Sequence, residues 1–597
     1  MDGNEEDFTS QVIEVYDDYD YDYEGSDISY DDEDSDPYTR DGSVDFYGKP
    51  ALKNRTGGWK SATLLLVNQG LVATAFSGVE ANMVIFLKLV LKQTNVEAAN
   101  TFSLWIGTSY FFSLIGAFLS DSYLGRYLTS VIFQFVLIIG LVLLSWSTHF
   151  FLLKPHGCEQ IGVLCESDTQ NQFSLFYLSI YLIALGSGVS DPAIPTFGSD
   201  QFDELEPKER RSKNLTYSYF YVALNLGSLV AETVMAYIGT SGHWVMAFWL
   251  CTSCASVSFL VFLSGTLRYR YYKSFGNPFS MFTQAFMSFL RKMKLQIDSI
   301  GEGFDGIQSD GDTSVRRIHH TNGLRFLDRA AIVSNEATEM LLGEGQRSYA
   351  WNFHSVTQNE GVKYTLRVLP IWFCTVLSSS TFIQMLSLFV VQGSTMDRTF
   401  FKFQIPPSSM SAFDIIATSI FIVLFDVLIV PLYVKVMKRP PKLPGELQSI
   451  GIGLIITTLT LVVAGFVETQ RLEFASKDGE ETSSLSIFWL LPQFLLFGVA
   501  QAFVNVAQMN FFTSETPDGL DGLGMGLSMF STAIGCYVGN FILTVVNKIT
   551  SSDQGQHGWV SPNLNDGHLD RYYFLTAFLV AIDLVVYVVC AKRYRGI

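Results

Sequence analysis

Five carboxylates sit inside apolar runs of this 597-residue chain: Glu80, Asp191, Glu232, Asp426 and Asp583. An ionisable group deep in a hydrophobic segment costs about 2.5–3.5 kcal/mol on insertion scales, so it marks an ion or proton pathway or a partner across a helix contact. Asp426 and Asp583 read first as helix-end or helix-contact residues. For Glu232 and Glu80, structural pairing and transport are balanced readings. Asp191, in "GSGVSDPAI", directly precedes a proline within its run.

Other chemistries find little support. His319 and His320 adjoin in a polar stretch without companion ligands. Cys251 and Cys254 form a CxxC inside an apolar run, where packing is the better reading than metal or redox chemistry. Gly519, Gly522, Gly524 and Gly526 open an apolar run with no strand before them, which points to close helix packing rather than a phosphate cradle. No nucleophile elbow, Walker loop or zinc pair is present. The chain is therefore not read as an enzyme, and neither a cofactor nor a nucleic-acid partner is expected.

The elements that must hold these acids follow from composition. With 48% hydrophobic and 16% charged residues, and apolar runs recurring between residues 61 and 591, the chain reads as an all-α membrane protein embedded in a lipid bilayer. At about 20 residues per span, helices are expected over 61–87, 101–120, 128–151, 173–195, 214–238 and 244–266, then 364–391, 411–434, 447–467, 486–511, 522–546 and 571–591. Twelve transmembrane helices thus form two sets of six, residues 51–266 and 364–597, around a polar central loop, 267–363. The net charge of −18 is concentrated in residues 1–50, which hold 18 acidic side chains against Arg40 and Lys49. This tail is expected to be disordered. Ser26, Ser29 and Ser35 beside its acids suit an acid-directed kinase or another regulatory partner, against the plainer reading of a solvated tail. It lacks an apolar stretch, so the first span is expected to direct insertion.

Basic residues flank the runs on one side by parity: Lys53 and Lys60, Lys208 and Arg211, Lys435 and Arg439, and Lys592 and Arg593. The positive-inside rule then puts both termini and the central loop in the cytoplasm. Cys158 and Cys165 share an outward loop, where a small disulfide is allowed. The sequons at Asn54 and Asn214 face inward and are expected to stay unmodified.

Six plus six helices around a long loop resemble the major facilitator superfamily, in which two bundles rock about a central site. "GAFLSDSYLGRYLTS" carries Asp121, Gly125 and Arg126 as a D-x-x-x-G-R turn similar to that superfamily's gating loop. "SYFYVALNLGSL" at 218–229 resembles the fifth-helix signature of the proton-coupled oligopeptide transporters. "TFGSDQFD" at 196–203, "GLRFLDRAAIV" at 323–333 and "GWVSPNLNDGHLDRYYFL" at 558–575 resemble the plant nitrate and peptide transporter branch. "DGSVDFYGKPA" looks closest to its subfamily of xylem-loading nitrate and potassium transporters. The resemblance spans Asp41 to Arg595.

That resemblance implies proton-coupled movement of a small solute, with a proton gradient as the driving force, and the departures from it are informative. The family's first-helix Glu-x-x-Glu-Arg aligns with Gln69, Val72 and Ala73. Its fourth-helix lysine aligns with Asp191, a charge reversal. A nitrate-contacting histidine aligns, through Gln384, with Phe382, and the frequent tenth-helix glutamate aligns with Gln501. No Lys, Arg or His remains at the matched positions to hold an anion, which favours potassium or another cation over nitrate, the family default. Gln69, Gln384, Tyr219 and Gln501 would supply neutral contacts, Tyr219 and Tyr221 being equally suited to helix packing. Glu80 lies 11 residues beyond Gln69, about 20° away around the helix and about 16 Å along it. It is therefore a candidate relocated acid on the same stripe. The competing reading is a transport-deficient sensor or accessory protein whose acidic tail binds a partner. The plasma membrane is expected first, the vacuolar membrane second.

Overall fold

A computed structural model describes residues 37–152, 169–203, 206–272, 356–401, 403–424, 445–478, 482–514, 521–551 and 558–594. Cys158, Cys165, Asp426, the three tail serines, His319, His320 and Gly519 lie outside the described residues.

Local sequence sets the helix starts. In α1 (Gly58–Leu89) and α2 (Asn95–Leu119) the chain reverses at Thr94, whose side chain and that of Glu97 form a reciprocal capping box. Gly125, at φ 75°, provides the bend before α3 (Arg126–Ser147). Next come α4 (Thr169–Ser199) and α5 (Pro207–Val230), which opens on a proline whose missing N–H costs nothing there. A π-helical turn, Ala231–Met235, and a last turn, Ala236–Thr240, extend α5 before α6 (Trp244–Ser264). The second set is α7 (Val356–Ser394), α8 (Ala412–Leu424), α9 (Glu446–Asp478), α10 (Leu491–Ser514), α11 (Asp521–Thr550) and α12 (Leu569–Arg593). A two-stranded hairpin, β1 (Thr399–Phe400) and β2 (Phe403–Gln404), joins α7 to α8. Among the described residues eleven helices are long and apolar enough to cross a membrane. The exception is α8, of which only 13 residues are described.

Helices α1–α6 pack into one bundle, through α3 on α4, α2 on α4 and α1 on α5 and α6; α7–α12 form the other, through α9 on α10 and α12 and α7 on α11. The bundles meet along α2 with α11 and α5 with α8. Close approach needs small residues: a Cβ on Gly188 of α4 would stand 2.2 Å from the Ser109 carbonyl oxygen of α2. Polar ties pin the bundles internally. The Asn68 amide donates to Gln134 at 3.1 Å and to the Ser258 hydroxyl at 2.6 Å, and Gln134 returns a bond at 3.0 Å, joining α1, α3 and α6.

Both described chain ends fall at one end of the bundles, termed here the near face. There residues 37–57 form a strap rather than the continuation of a disordered tail to residue 50: Val44 bridges both Pro50 and Tyr271, and the Gly57 N–H donates to the Arg268 carbonyl at 2.8 Å. Residues 1–36 lie outside the described residues. At the opposite, far face the bundles are bonded together. Lys88 donates to Ser394 at 3.2 Å, Asn95 to the Ser561 and Pro562 carbonyls at 2.8 Å each, and Asn100 to Thr544 at 3.0 Å. The Tyr237 ring stacks on Phe403 of β2 at 4.9 Å.

Two helices run further than their hydropathy suggests. α4 continues through Pro192 and Pro195. α9 passes residue 467 because the next charges satisfy one another: Glu468 and Arg471, both fully buried, pair at 2.8 Å.

Candidate transport site

The two prolines define the first storey of the site. Lacking N–H groups, Pro192 and Pro195 leave the Gly188 and Asp191 carbonyls without their helical donors, on the stretch of α4 that carries the carboxylate. Asp191 is half-buried, and the Gln69 side chain of α1 lies beside its carboxylate and favours the charged form. Gln69 is 3% exposed, and its Oε1 has no partner among the described residues. The aligned positions, acid and amide, are thus brought together.

Glu80 and Glu232 form a second storey toward the far face, lining one small cavity between the bundles. The π-helical turn at Ala231–Met235 sets the facing of Glu232; such one-turn insertions recur at functional sites. Tyr110 of α2 interacts electrostatically with both Glu80 and Asp191 and so stands between the storeys. No Lys, Arg or His among the described residues bonds or pairs with Asp191, Glu80 or Glu232.

Other sequence candidates fall elsewhere. Gln384 is spent on packing: its amide nitrogen donates to the Gly539 carbonyl and its oxygen accepts from the Tyr572 hydroxyl, tying α7 to α11 and α12. Phe382 is buried against Phe497, ring centroids 5.5 Å apart. Tyr219 lies near the start of α1, edge-on to Trp59 at 5.5 Å, and Gln501 is half-buried in α10. Of the gating-loop residues, Gly125 makes the bend, Arg126 pairs with Asp200 at 2.5 Å just beyond the end of α4, and Asp121 belongs to the π-helical turn Ser120–Leu124. The turn is therefore anchored next to the helix that carries Asp191. Asp583 is buried among Cys374 and Tyr587 in the second bundle, away from the acids above.

Two features escaped the sequence reading. Asp414, third residue of α8, is 5% exposed and interacts electrostatically with Glu80 and Glu232. Its place in a first turn reads as helix capping; the apolar "IIATSIFIVL" that follows is the signal that it enters the membrane. Tyr110 had no signal beyond its depth in an apolar run.

Comparison with known proteins agrees with this architecture. The family model described as PTR2, POT family, matches residues 127–560. Protein NRT1/PTR FAMILY 7.3 of Arabidopsis thaliana is 46% identical over 569 residues, 94% of this chain and 92% of its own. Protein NRT1/PTR FAMILY 7.2 of the same plant is 45% identical, over 94% of this chain and 95% of its own. Among solved structures, an auto-inhibited POT family peptide transporter superposes with a TM-score of 0.64 at 20% identity, covering 90% of this chain and 98% of that one. The POT family transporter PepTSo gives 0.63 at 18% identity, with the same coverages. Those two share the major facilitator fold with this chain, whose extended likeness to the plant proteins places it in the POT family, as a membrane transporter of the plant NRT1/PTR branch.

Proposed function

We propose that this transporter moves a small cation, potassium first, in exchange for protons, rather than nitrate or a peptide. The observation that carries the reading is the Asp191–Gln69 pair: a carboxylate and a neutral amide at the α1–α4 contact, with no basic side chain among the described residues acting on it. In a low-dielectric cavity a lone carboxylate attracts a cation and repels an anion, and nothing in this storey would offset the desolvation of nitrate. One carboxylate holds either a proton or a cation, so competition at Asp191 makes the two exclusive, which is the requirement for exchange. Alternating access follows from rocking of the two bundles, with the inter-bundle bonds at the far face broken and remade in each cycle.

The excess of Lys and Arg near the near face supports a cytoplasmic near face, with the acidic tail there available to a kinase or regulatory protein. The plasma membrane is the favoured location and the vacuolar membrane the second.

The test is flux in proteoliposomes with potassium, nitrate or a dipeptide, each with and without a pH gradient. Potassium flux that responds to the gradient and is lost in Asp191→Asn is expected. Nitrate uptake that survives Asp191→Asn and shows no potassium dependence overturns the cation reading. Absence of any flux, with a cellular response lost on deleting residues 1–36, favours the sensor reading instead.

A further inference from the structure

The far storey has no role in the cation contact just described, yet it is the more unusual electrostatic arrangement. Glu80 of α1 and Glu232 of the α5 π-helical turn line a cavity with Phe102 of α2, Leu386 of α7, and Ser408 and Ser411 of the turn into α8. Glu232 is 7% exposed and Asp414 5%. The Oε2 of Glu232 and the Oδ1 of Asp414 have no hydrogen-bond partner among the described residues. Asp414 otherwise sits beside the backbone N–H groups that open its own helix, which favour its charged form.

The groups facing the cluster from the neighbouring helices are few. Tyr110 of α2 interacts electrostatically with Glu80, and Tyr221 of α5 with Asp414. Lys88, eight residues beyond Glu80 and so about 12 Å along α1, is turned to the Ser394 hydroxyl and lies near Arg398. Neither of these cations pairs with the three acids.

Removing a carboxylate from water costs several kcal/mol, and like charges sharing a dry site do not all ionise. Something positive must therefore join the cluster. The three acids do not converge closely enough to coordinate one metal ion, and the cavity has space for about one water molecule. A dehydrated potassium ion would lack both room and ligands. A proton needs neither.

We propose that Glu80, Glu232 and Asp414 form a proton-binding site that spans the two bundles in the far half, distinct from Asp191. The proposal rests on the transporter reading for its role in a cycle, though not for its existence. Glu80 and Glu232 belong to one bundle and Asp414 to the other, so parting of the bundles at the far face splits the cluster and opens it to water. Protonated, the cluster lets the bundles meet; ionised, it drives them apart by like-charge repulsion. External pH thereby sets how often the far face closes.

The experiment uses the full chain in liposomes. Infrared difference spectra are recorded on a pH step, reading the carbonyl stretch of protonated carboxyl groups, for wild type, Glu232→Gln, Asp414→Asn and Asp191→Asn. The expected result is a pH-dependent band that is lost or shifted in Glu232→Gln and Asp414→Asn and remains in Asp191→Asn, which loses only the separate band of its own carboxyl group. Potassium flux supplies the second readout: its pH of half-maximal rate shifts by about one unit or more in Glu232→Gln, and Glu232→Asp restores the wild-type profile. Size-exclusion and thermal unfolding identify any variant that has not folded, for which the other neutral amide, Glu232→Asn or Asp414→Gln, is measured instead. A spectrum unchanged in both Glu232→Gln and Asp414→Asn overturns the proposal. Spectra changed as expected, with no protein moving potassium, nitrate or dipeptide, uphold the proton site while refuting the proposed function.

Discussion

Truncating Arg471 tests how the far face is held shut. The guanidinium donates from Nε to Glu468 Oε2 at 2.9 Å and from Nη2 to Oε1 at 2.8 Å, and both side chains are fully buried. Its Nη1 reaches Asn565 Oδ1 at 2.7 Å, in the segment just before α12. That segment also presents the Ser561 and Pro562 carbonyls that receive Asn95 of the other bundle. Arg471→Ala strands a buried carboxylate, which costs about 3–5 kcal/mol. At about 2–4 °C per kcal/mol for a unit of 150–250 residues, a bundle-sized unit loses on the order of 10 °C in Tm. Detergent-purified protein with a thiol-reactive fluorophore measures this, since Cys251, Cys374 and Cys536 are buried and react only on unfolding. Replacing both partners, Glu468→Leu with Arg471→Met, leaves no unpaired charge and recovers most of the loss. A single variant that melts within about 2–4 °C of wild type, a change of about 1 kcal/mol, refutes the reasoning. So does a double variant no more stable than the single.

Three further outcomes follow from the geometry. Gly188→Ala forces the Ser109 carbonyl away from α4, because the new Cβ would stand 2.2 Å from it; about 1–3 kcal/mol of stability and most potassium flux should go, read by thermal unfolding and proteoliposome uptake. Asn68→Ala orphans both ends of the buried Gln134 amide and should cost about 1–3 kcal/mol, seen as a lower unfolding temperature. In the strap, burial pushes the Asp41 carboxyl up, but bonds from Tyr272 and Ser43 and the nearby charge of Arg270 outweigh it and leave it below the ordinary 3.8. A depressed carboxylate stabilises above its unfolded value and loses that contribution as pH falls through the folded one, so strap docking is complete at neutral pH and weakens below about 3.8. Asp41→Asn should loosen it at neutral pH and flatten this dependence, measured by protease cleavage within residues 37–57.

Helix positions were legible because span length and hydropathy are local properties, and Asp191 was legible because motif spacing placed it opposite Gln69. Gln384 shows the limit of such alignment: its depth and polarity fit a solute contact, but Gly539 and Tyr572, more than 150 residues away, consume both ends of its amide. Glu80, Glu232 and Asp414 are brought together by bundle packing, and no periodicity in the chain relates them. Glu468 and Arg471 have a readable three-residue spacing. Their burial is not readable, since two charges end a hydrophobic run when each is counted as unpaired.

The two storeys differ in a way that orders the events of a cycle. Asp191 retains partial exposure, whereas Glu232 and Asp414 are more than nine-tenths buried beneath the bonds of Lys88 and Asn95 to the other bundle. With the far face closed, a charge can be exchanged at Asp191, while Glu232 and Asp414 are shut away from water and keep the protons they closed with. Release from the far cluster then requires those inter-bundle bonds to break first. An exchanger built in this way would stall if the far acids were permanently neutral, because like-charge repulsion would no longer help to part the bundles, and it would stall equally if they were permanently charged. Replacing only one of the three leaves a titratable pair and retunes the cycle. Replacing Glu232 and Asp414 together should therefore cost far more flux than the two single variants combined, and strict additivity of the three measurements would show that the acids act independently.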